Sequence, residues 1–127
     1  MTSPRSELAL VVDDNEKNLK LARDVLRHAG FRTLEASTGR AAVTLAIEQL
    51  PDVILMDIRL PDMDGTVAVR ELKNDARTAA IPVVALTSFA MKGDRERFIA
   101  AGFHGYIEKP ISVRDFPDEV GGYCRHS

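Results

Sequence analysis

Val53-Ile54-Leu55-Met56-Asp57-Ile58-Arg59-Leu60-Pro61-Asp62-Met63-Asp64-Gly65 decides how this chain reads. An unbroken apolar run leads into a single carboxylate, and a loop with Pro61 follows, closed by Asp64-Gly65. A strand that is continuously apolar, not alternating, is buried on both faces, as in a parallel sheet. Val53 to Met56 is such a strand, and Asp57 stands at its C-terminal end. That end is where open parallel α/β sheets bind ligands. By residue type Asp57 is a helix cap, a metal ligand or a nucleophile, and the rest of the chain must decide between them.

Outward from this stretch the pattern repeats. Leu8 to Val12 is a second uninterrupted apolar run, ending in Asp13-Asp14-Asn15. Asn15 can cap a helix reaching about Ala29, with Leu19, Ala22, Leu26 and Ala29 on one face, and Gly30 stops it. Phe31 to Ala36 is a weaker strand whose Arg32, Thr33 and Glu35 suit a sheet edge. Thr38 to Leu50 reads as a helix with Ala42, Leu45 and Ala46 inward, barred from continuing by Pro51. After the central strand, Asp64 opens a helix that ends near Asp75, weakened by the β-branched Thr66, Val67 and Val69. Ile81 to Leu86 is the next strand, with proline tolerated near its start, and it runs into Thr87-Ser88. A helix from about Lys92 to Ala101 is stopped by Gly102. His104 to Glu108 is a short strand ending in Lys109-Pro110. Ser112 is read as the cap of a last helix, with Asp115 as its capping-box-like partner. Pro117 and Gly121-Gly122 compromise that helix, so little regular helix is expected before Gly121.

Strand and helix alternate five times over the chain, at spacings of roughly 20 to 30 residues, the size of a βαβ unit. Right-handed crossovers then give a parallel sheet covered by helices on both faces. The 127 residues suit one domain spanning 1–127, with no internal repeat, linker or low-complexity segment. With 45% apolar and 28% charged residues the composition is globular. A net charge of −2, and no basic run longer than a dipeptide, argue against nucleic-acid binding by charge alone. Cys124 is the only cysteine, which excludes an internal disulfide; it reads as a free thiol near a frayed end. No apolar run approaches the ~18 residues of a membrane span, so a soluble, cytoplasmic protein is expected, with no membrane partner.

The chemistry converges at the strand ends. Asp13-Asp14, Asp57, Thr87 and Lys109 each terminate a strand, and a parallel sheet brings all C-terminal ends to one rim. The three carboxylates repel one another, and at least one pKa would rise unless a cation joined them. Mg²⁺ suits the set, taking one or two carboxylates and keeping several waters, and Mn²⁺ can stand in for it. No His/Cys spacing supports zinc. Lys109 sets an ammonium opposite the carboxylates and Thr87 offers a hydroxyl. Cation, ammonium and hydroxyl together suit the oxygens of a phosphoryl group, and an attacking Asp57 oxygen would give an aspartyl-phosphate. Each residue alone has an ordinary use: Asp13 or Asp14 as a helix cap, Asp57 in a turn, Thr87 as a loop hydroxyl, Lys109 as a solvated charge. Their conjunction at four strand ends carries the reading. His28, His104 and His126 have no visible partner and receive no role.

Val12-Asp13-Asp14-Asn15, Leu55 to Gly65, Ala85-Leu86-Thr87-Ser88 and Gly105-Tyr106-Ile107-Glu108-Lys109-Pro110 resemble the motifs of response-regulator receiver domains in two-component signalling. The resemblance covers residues 8 to 116. It implies a flavodoxin-like (βα)5 three-layer sandwich with a five-stranded parallel sheet in order 2-1-3-4-5. It implies that Asp57 accepts a phosphoryl group from a phosphohistidine on a sensor histidine kinase or a phosphotransfer protein. Asp13, Asp14, Asp57 and the backbone carbonyl of Arg59 would surround Mg²⁺, and Thr87 and Lys109 would bind phosphoryl oxygens. Thr87 and Tyr106 would form the switch that presents a changed helix 4/strand 5 surface to a downstream effector protein. The Lys109-Pro110 bond is commonly cis in such domains. Phe89 to Asp94 looks most like stand-alone cell-cycle receivers and receivers attached to hybrid kinases. The compromised last helix departs from the family, in which that helix is uninterrupted and part of the output face.

In the family two positions flank the path of a hydrolytic water, and here they are Arg59 and Phe89. Arg59 has donors only and Phe89 is bulky and apolar, so neither can align water. Slow self-dephosphorylation is therefore expected, and beyond that and self-phosphorylation no enzymatic activity. Three other readings compete. A haloacid-dehalogenase-like, Mg-dependent aspartyl-phosphate phosphatase places its nucleophile after the first strand, and it needs a cap this chain is too short to supply. A flavin or nucleotide module needs a Gly-, Ser- or Thr-rich loop where Asp13-Asp14 stands. A non-phosphorylated pseudo-receiver used for docking would not need the complete residue set.

Overall fold

Among residues 7–88 and 91–124, which the structure, a computed structural model, describes, ten elements alternate. They are β1 (Leu8–Val12), α1 (Glu16–His28), β2 (Arg32–Ala36), α2 (Gly39–Gln49), β3 (Val53–Asp57), α3 (Gly65–Asn74), β4 (Val83–Thr87), α4 (Asp94–Ala101), β5 (Gly105–Glu108) and α5 (Phe116–Tyr123). The strands form one parallel sheet in the order β2-β1-β3-β4-β5, a flavodoxin-like arrangement. The partly polar β2 sits at an edge, and every residue of β3 and β4 is buried.

The continuous apolar runs are explained by two cores. Leu10, Val12, Ile54, Met56, Val83 and Ala85 face one side, packed by α2, α3 and Phe98 of α4. Ala9, Val11, Val53, Leu55, Val84 and Leu86 face the other, packed by Leu19, Ala22 and Leu26 of α1 and by Phe116 and Val120 of α5. Successive side chains of a strand point to opposite faces, so a sheet covered on both sides needs every residue apolar. Each fully buried Leu, Ile or Val contributes about 1.5–3 kcal/mol relative to exposure.

The helix starts follow their capping residues. Asn15 Oδ1 accepts from the Lys17 and Asn18 N–H groups, Thr38 Oγ1 from Ala41 N–H, and Asp64 Oδ1 from Thr66 N–H. These satisfy donors that a helix's first turn leaves open. At the end of α1, Gly30 has φ 100°, and the Gly30 and Phe31 N–H groups close on Arg27 and Leu26 carbonyls at 3.0 Å each. This is a Schellman stop, and it draws Phe31 out of the strand that the sequence assigned to it.

Other boundaries also differ from expectation. β4 begins at Val83, not Ile81, because Pro82 has no N–H for the ladder and only its carbonyl pairs, with Ile54. α4 begins at Asp94, because Gly93 has φ 90° and the Asp94 carboxylate is turned back onto Met91 N–H. Ser112 does not cap α5. Its Oγ accepts from Asp115 N–H at 3.2 Å within a preceding turn, and the helix starts at Phe116. Pro117 therefore falls in the first turn, where its missing N–H costs nothing. The helix is short, eight residues, yet it runs through Gly121-Gly122 to Tyr123, so the glycines do not end it. Phe116, Val120, Gly121 and Cys124 are buried, and tertiary packing overrides the glycine propensity. Cys124 is a core residue, 4% exposed, and not at a frayed end. His104 has a partner after all: its Nδ1 accepts from Val83 N–H at 3.3 Å. The Lys109-Pro110 bond is cis. His126 lies outside the described residues.

Candidate acidic site at the carboxyl edge of the sheet

The register of the sheet assembles the site. Val12 pairs with Met56, Asp57 with Leu86 and Thr87 with Glu108, so Asp13, Asp57, Thr87 and Lys109 end neighbouring strands at one level. Lys109 N–H donates to the Thr87 carbonyl at 2.7 Å, carrying the ladder to its last residue. Gly65 lets the start of α3 abut this edge: a Cβ there would lie 2.7 Å from the Asp57 carbonyl oxygen.

Asp13 is 1% exposed and fully engaged. Its Oδ1 accepts from Asn15 N–H at 2.9 Å, and its Oδ2 from Asn18 Nδ2 at 3.3 Å and Lys109 Nζ at 3.1 Å. Asp57 is 8% exposed; its Oδ1 accepts from Arg59 N–H at 3.1 Å and its Oδ2 from Lys109 Nζ at 3.2 Å. Asp14 is exposed at the rim. One oxygen from each of Asp13, Asp14 and Asp57 lies within 4.8 Å of the others. Thr87 is buried beside them. Asp13, Asp14, Asp57, Arg59, Thr87 and Lys109 share one pocket of about 410 Å³, with Arg97 and Phe98 of α4 in its wall.

The electrostatics are those of an anionic pocket with one bridging ammonium. Burial raises the Asp57 carboxyl above its usual value; the Arg59 N–H and the Lys109 charge oppose that rise, and the Asp13 charge adds to it. Burial also pushes the Lys109 ammonium down, but its bonds and charge attraction to Asp13 and Asp57 outweigh this and leave it raised. Three carboxylates against one ammonium leave net negative charge in a confined space. An all-oxygen donor set of this size fits a hard divalent cation such as Mg²⁺, which tolerates few carboxylates and fills its remaining positions with water. The same pocket offers a carboxylate nucleophile with a cation already beside it.

Tyr106 does not share the pocket. Its ring meets Phe98 edge-on, 6.0 Å between centroids at 63°, and it lines a separate groove of about 460 Å³ between α4 and α5. Phe98 thus touches both the acidic pocket and Tyr106. Phe89 lies outside the described residues. Sequence reasoning missed Asn18, Arg97 and Phe98. Asn18 carried a weak signal, a polar residue one turn after the Asn15 cap, whereas the place of Arg97 and Phe98 depends on how α4 docks.

The protein-family model of the response regulator receiver domain matches residues 9–120. The polar-differentiation response regulator DivK of Brucella ovis is 46% identical over 114 residues, which cover 90% of this chain and 93% of that protein. The receiver domain of a sensor histidine kinase from Pseudomonas aeruginosa, solved with a magnesium ion coordinated in its active-site cleft, is 34% identical. It superposes with a TM-score of 0.85 over 94% of this chain and 98% of that one. The chemotaxis response regulator CheY4 of Vibrio cholerae shares the fold, with a TM-score of 0.88 and 24% identity over 94% of this chain and 99% of that one. With its sheet order, its strand-end residues and these matches in agreement, the chain belongs to the response regulator receiver domain family.

Proposed function

We propose that this receiver domain is phosphorylated on Asp57 in a Mg²⁺-dependent reaction, with a phosphohistidine of a sensor histidine kinase or phosphotransfer protein as donor. The observation that carries the reading is the Asp57 carboxylate, held between Arg59 N–H and Lys109 Nζ with Asp13 and Asp14 oxygens within 4.8 Å. The magnesium ion in the related kinase receiver supports the same use of this pocket. Asp13, Asp14, Asp57 and the Arg59 backbone carbonyl would hold the metal, with Mn²⁺ as a substitute. Bound there, Mg²⁺ would neutralise charge on the carboxylates and on the incoming phosphoryl oxygens.

An Asp57 oxygen attacks phosphorus. The O–P bond forms, the P–N bond breaks, and its electron pair goes to the imidazole, which takes a proton from solvent. Lys109 then holds a phosphoryl oxygen in place of the Asp57 oxygen it now grips, and the Thr87 hydroxyl holds another. Tyr106 fills the space Thr87 vacates, and the α4/β5 surface changes for an effector protein. No nucleic acid and no membrane are partners in this reading. Among the described residues no helix is long and apolar enough to cross a bilayer, and the proposed place of action is the cytoplasm. Arg59 and Phe89 leave a hydrolytic water unaligned, so the aspartyl-phosphate is slow to decay.

The test is phosphotransfer. Wild type takes label from a phosphorylated histidine kinase, loses that ability with excess chelator, and releases the label slowly. Asp57→Asn takes none. Arg59→Asn combined with Phe89→Glu takes label and loses it faster. Strong labelling of Asp57→Asn at another residue overturns the assignment, and a wild type that no kinase or small phosphodonor labels is a docking module instead.

A further inference from the structure

We propose that Asp62 is a positioning residue for the site: it anchors the loop between β3 and α3 to the start of α2 and thereby fixes the metal-binding backbone at Arg59. The proposal rests on the reading of the acidic pocket as a Mg²⁺ site.

Asp62 is exposed, and an exposed carboxylate in a loop is ordinarily free to rotate in water. This one is not. Its Oδ1 accepts from Gly39 N–H at 2.8 Å and its Oδ2 from Arg40 N–H at 2.9 Å, across 23 and 22 residues of sequence. These are the first two donors of α2, and Thr38 takes the third, on Ala41. The open donors of a helix start are usually met by the preceding residue or by water. Here two of them are met by the loop that carries the site, and the helix dipole favours the negative charge.

The next residue repeats the tie in apolar form. Met63 packs on Gly39 so closely that a Cβ there would lie 2.5 Å from Met63 Cγ and 2.7 Å from its sulfur. Inside the loop, Gly65 N–H closes on the Ile58 carbonyl at 2.7 Å, Arg59 bridges Asp64, and Asp64 caps α3. Those ties make the loop and α3 one body. Asp62 and Met63 fix that body to a different helix. At its inner end the same loop presents Arg59, whose N–H orients Asp57 Oδ1 and whose carbonyl is the proposed metal ligand. A loosened outer end lets that carbonyl and the carboxylate drift apart, and metal affinity depends steeply on groups that orient the ligands.

Loss of a negative charge near a cation site also weakens metal binding, so the charge must be separated from the tie. Gly39→Ala does this: it leaves Asp62 charged and forces Met63 away from α2. The measurements are Mg²⁺ affinity by titration calorimetry on the unphosphorylated protein, and amide hydrogen exchange at Arg59 without metal, with circular dichroism confirming the fold of each variant. Asp62→Ala and Gly39→Ala both raise the Mg²⁺ dissociation constant, by about 10-fold for Asp62→Ala, and both speed exchange at Arg59. Asp62→Asn, which keeps one acceptor, lies between wild type and alanine. If Asp62→Ala weakens Mg²⁺ while Gly39→Ala leaves affinity and exchange as in wild type, the effect is charge and the proposal fails. Melting temperatures that fall with unchanged exchange and affinity reduce Asp62 to a helix cap and also overturn it. A wild type that binds no Mg²⁺ refutes the metal reading instead, and the exchange data still decide whether Asp62 fixes the loop.

Discussion

His104 ties β4 to β5 at the end of the sheet opposite the site. Its backbone N–H donates to the Val83 carbonyl at 2.8 Å, and its Nδ1 accepts from the Val83 N–H at 3.3 Å. Protonation would remove that acceptor. Burial, and then the nearby Lys73 ammonium, hold the imidazole below its usual range. Lys73 cannot swing away, since its Nζ donates to the Ala79 and Ile81 carbonyls at 3.1 and 2.6 Å. With the folded-state pKa below the unfolded one, the unfolded chain binds the proton more readily. Stability therefore falls as pH drops from the ordinary histidine value, about 6.5, towards the lowered folded value, and below that the loss is complete. Because His104 as a residue is exposed and its ring only partly buried, the effect is small. His104→Gln, which keeps an acceptor without titrating, should flatten that part of the stability profile. Urea midpoints measured from pH 7.5 to 4.5, wild type against variant, check it: a constant difference between the two would show that His104 does not titrate with folding.

At the scale of elements, what was legible in the sequence divides by whether the signal is local. β1 and β3 were plain because both faces of the sheet are covered, which forces unbroken apolar runs. Asn15 caps α1 as read, whereas Thr38 and Asp64, read as the first residues of their helices, prove to be the caps just outside them. Asp13, Asp57, Thr87 and Lys109 were legible as strand ends, and the register alone brings them together. Asp62, Arg97 and Phe98 were not: Asp62 is bound by α2, 23 and 22 residues away, and Arg97 and Phe98 reach the pocket only through the way α4 docks on the sheet. The last helix misled for the same reason. Gly121-Gly122 reads as a stop, but α5 is held by what it packs on, including Tyr123 laid directly over Gly105. The two glycines at 105 and 122 thus make opposite predictions. A Cβ at Gly122 meets nothing within 4 Å, in the last turn of α5, so Gly122→Ala should stabilise, by no more than the about 0.5–1 kcal/mol of a helix interior. A Cβ at Gly105 runs into the Tyr123 ring, so Gly105→Ala should destabilise by about 1–3 kcal/mol through overpacking. Denaturant unfolding of the two variants measures both, and a Gly122→Ala protein no more stable than wild type would mean that α5 is not helical there in solution.

At the scale of the molecule, the proposed switch must carry a change from the acidic pocket to the α4/β5 face through what lies between. Phe98 lies between: 1% exposed, in the wall of the pocket, and in edge contact with Phe103 at 5.9 Å and Tyr106 at 6.0 Å. A close-packed interior does not deform continuously, so a Thr87 hydroxyl drawn towards a phosphoryl oxygen must be matched by a discrete repacking of Tyr106 against Phe98. The size of the effect is bounded. Inverting a population from 1:99 to 99:1 takes about 5.5 kcal/mol of differential binding. One hydrogen bond to a charged group is worth only about 1.5–3 kcal/mol net, equivalent to roughly 10- to 100-fold in an equilibrium. Thr87 alone therefore cannot supply the whole inversion, and the contacts of Lys109 must supply much of the remainder. Thr87→Ala, once phosphorylated on Asp57, should bind an effector roughly 10- to 100-fold more weakly than phosphorylated wild type, while the unphosphorylated forms bind alike. Titrating labelled effector against all four forms decides it: equal affinity of the two phosphorylated proteins would remove Thr87 from the switch, and a loss far beyond that range would mean Thr87 holds the phosphoryl group itself in place.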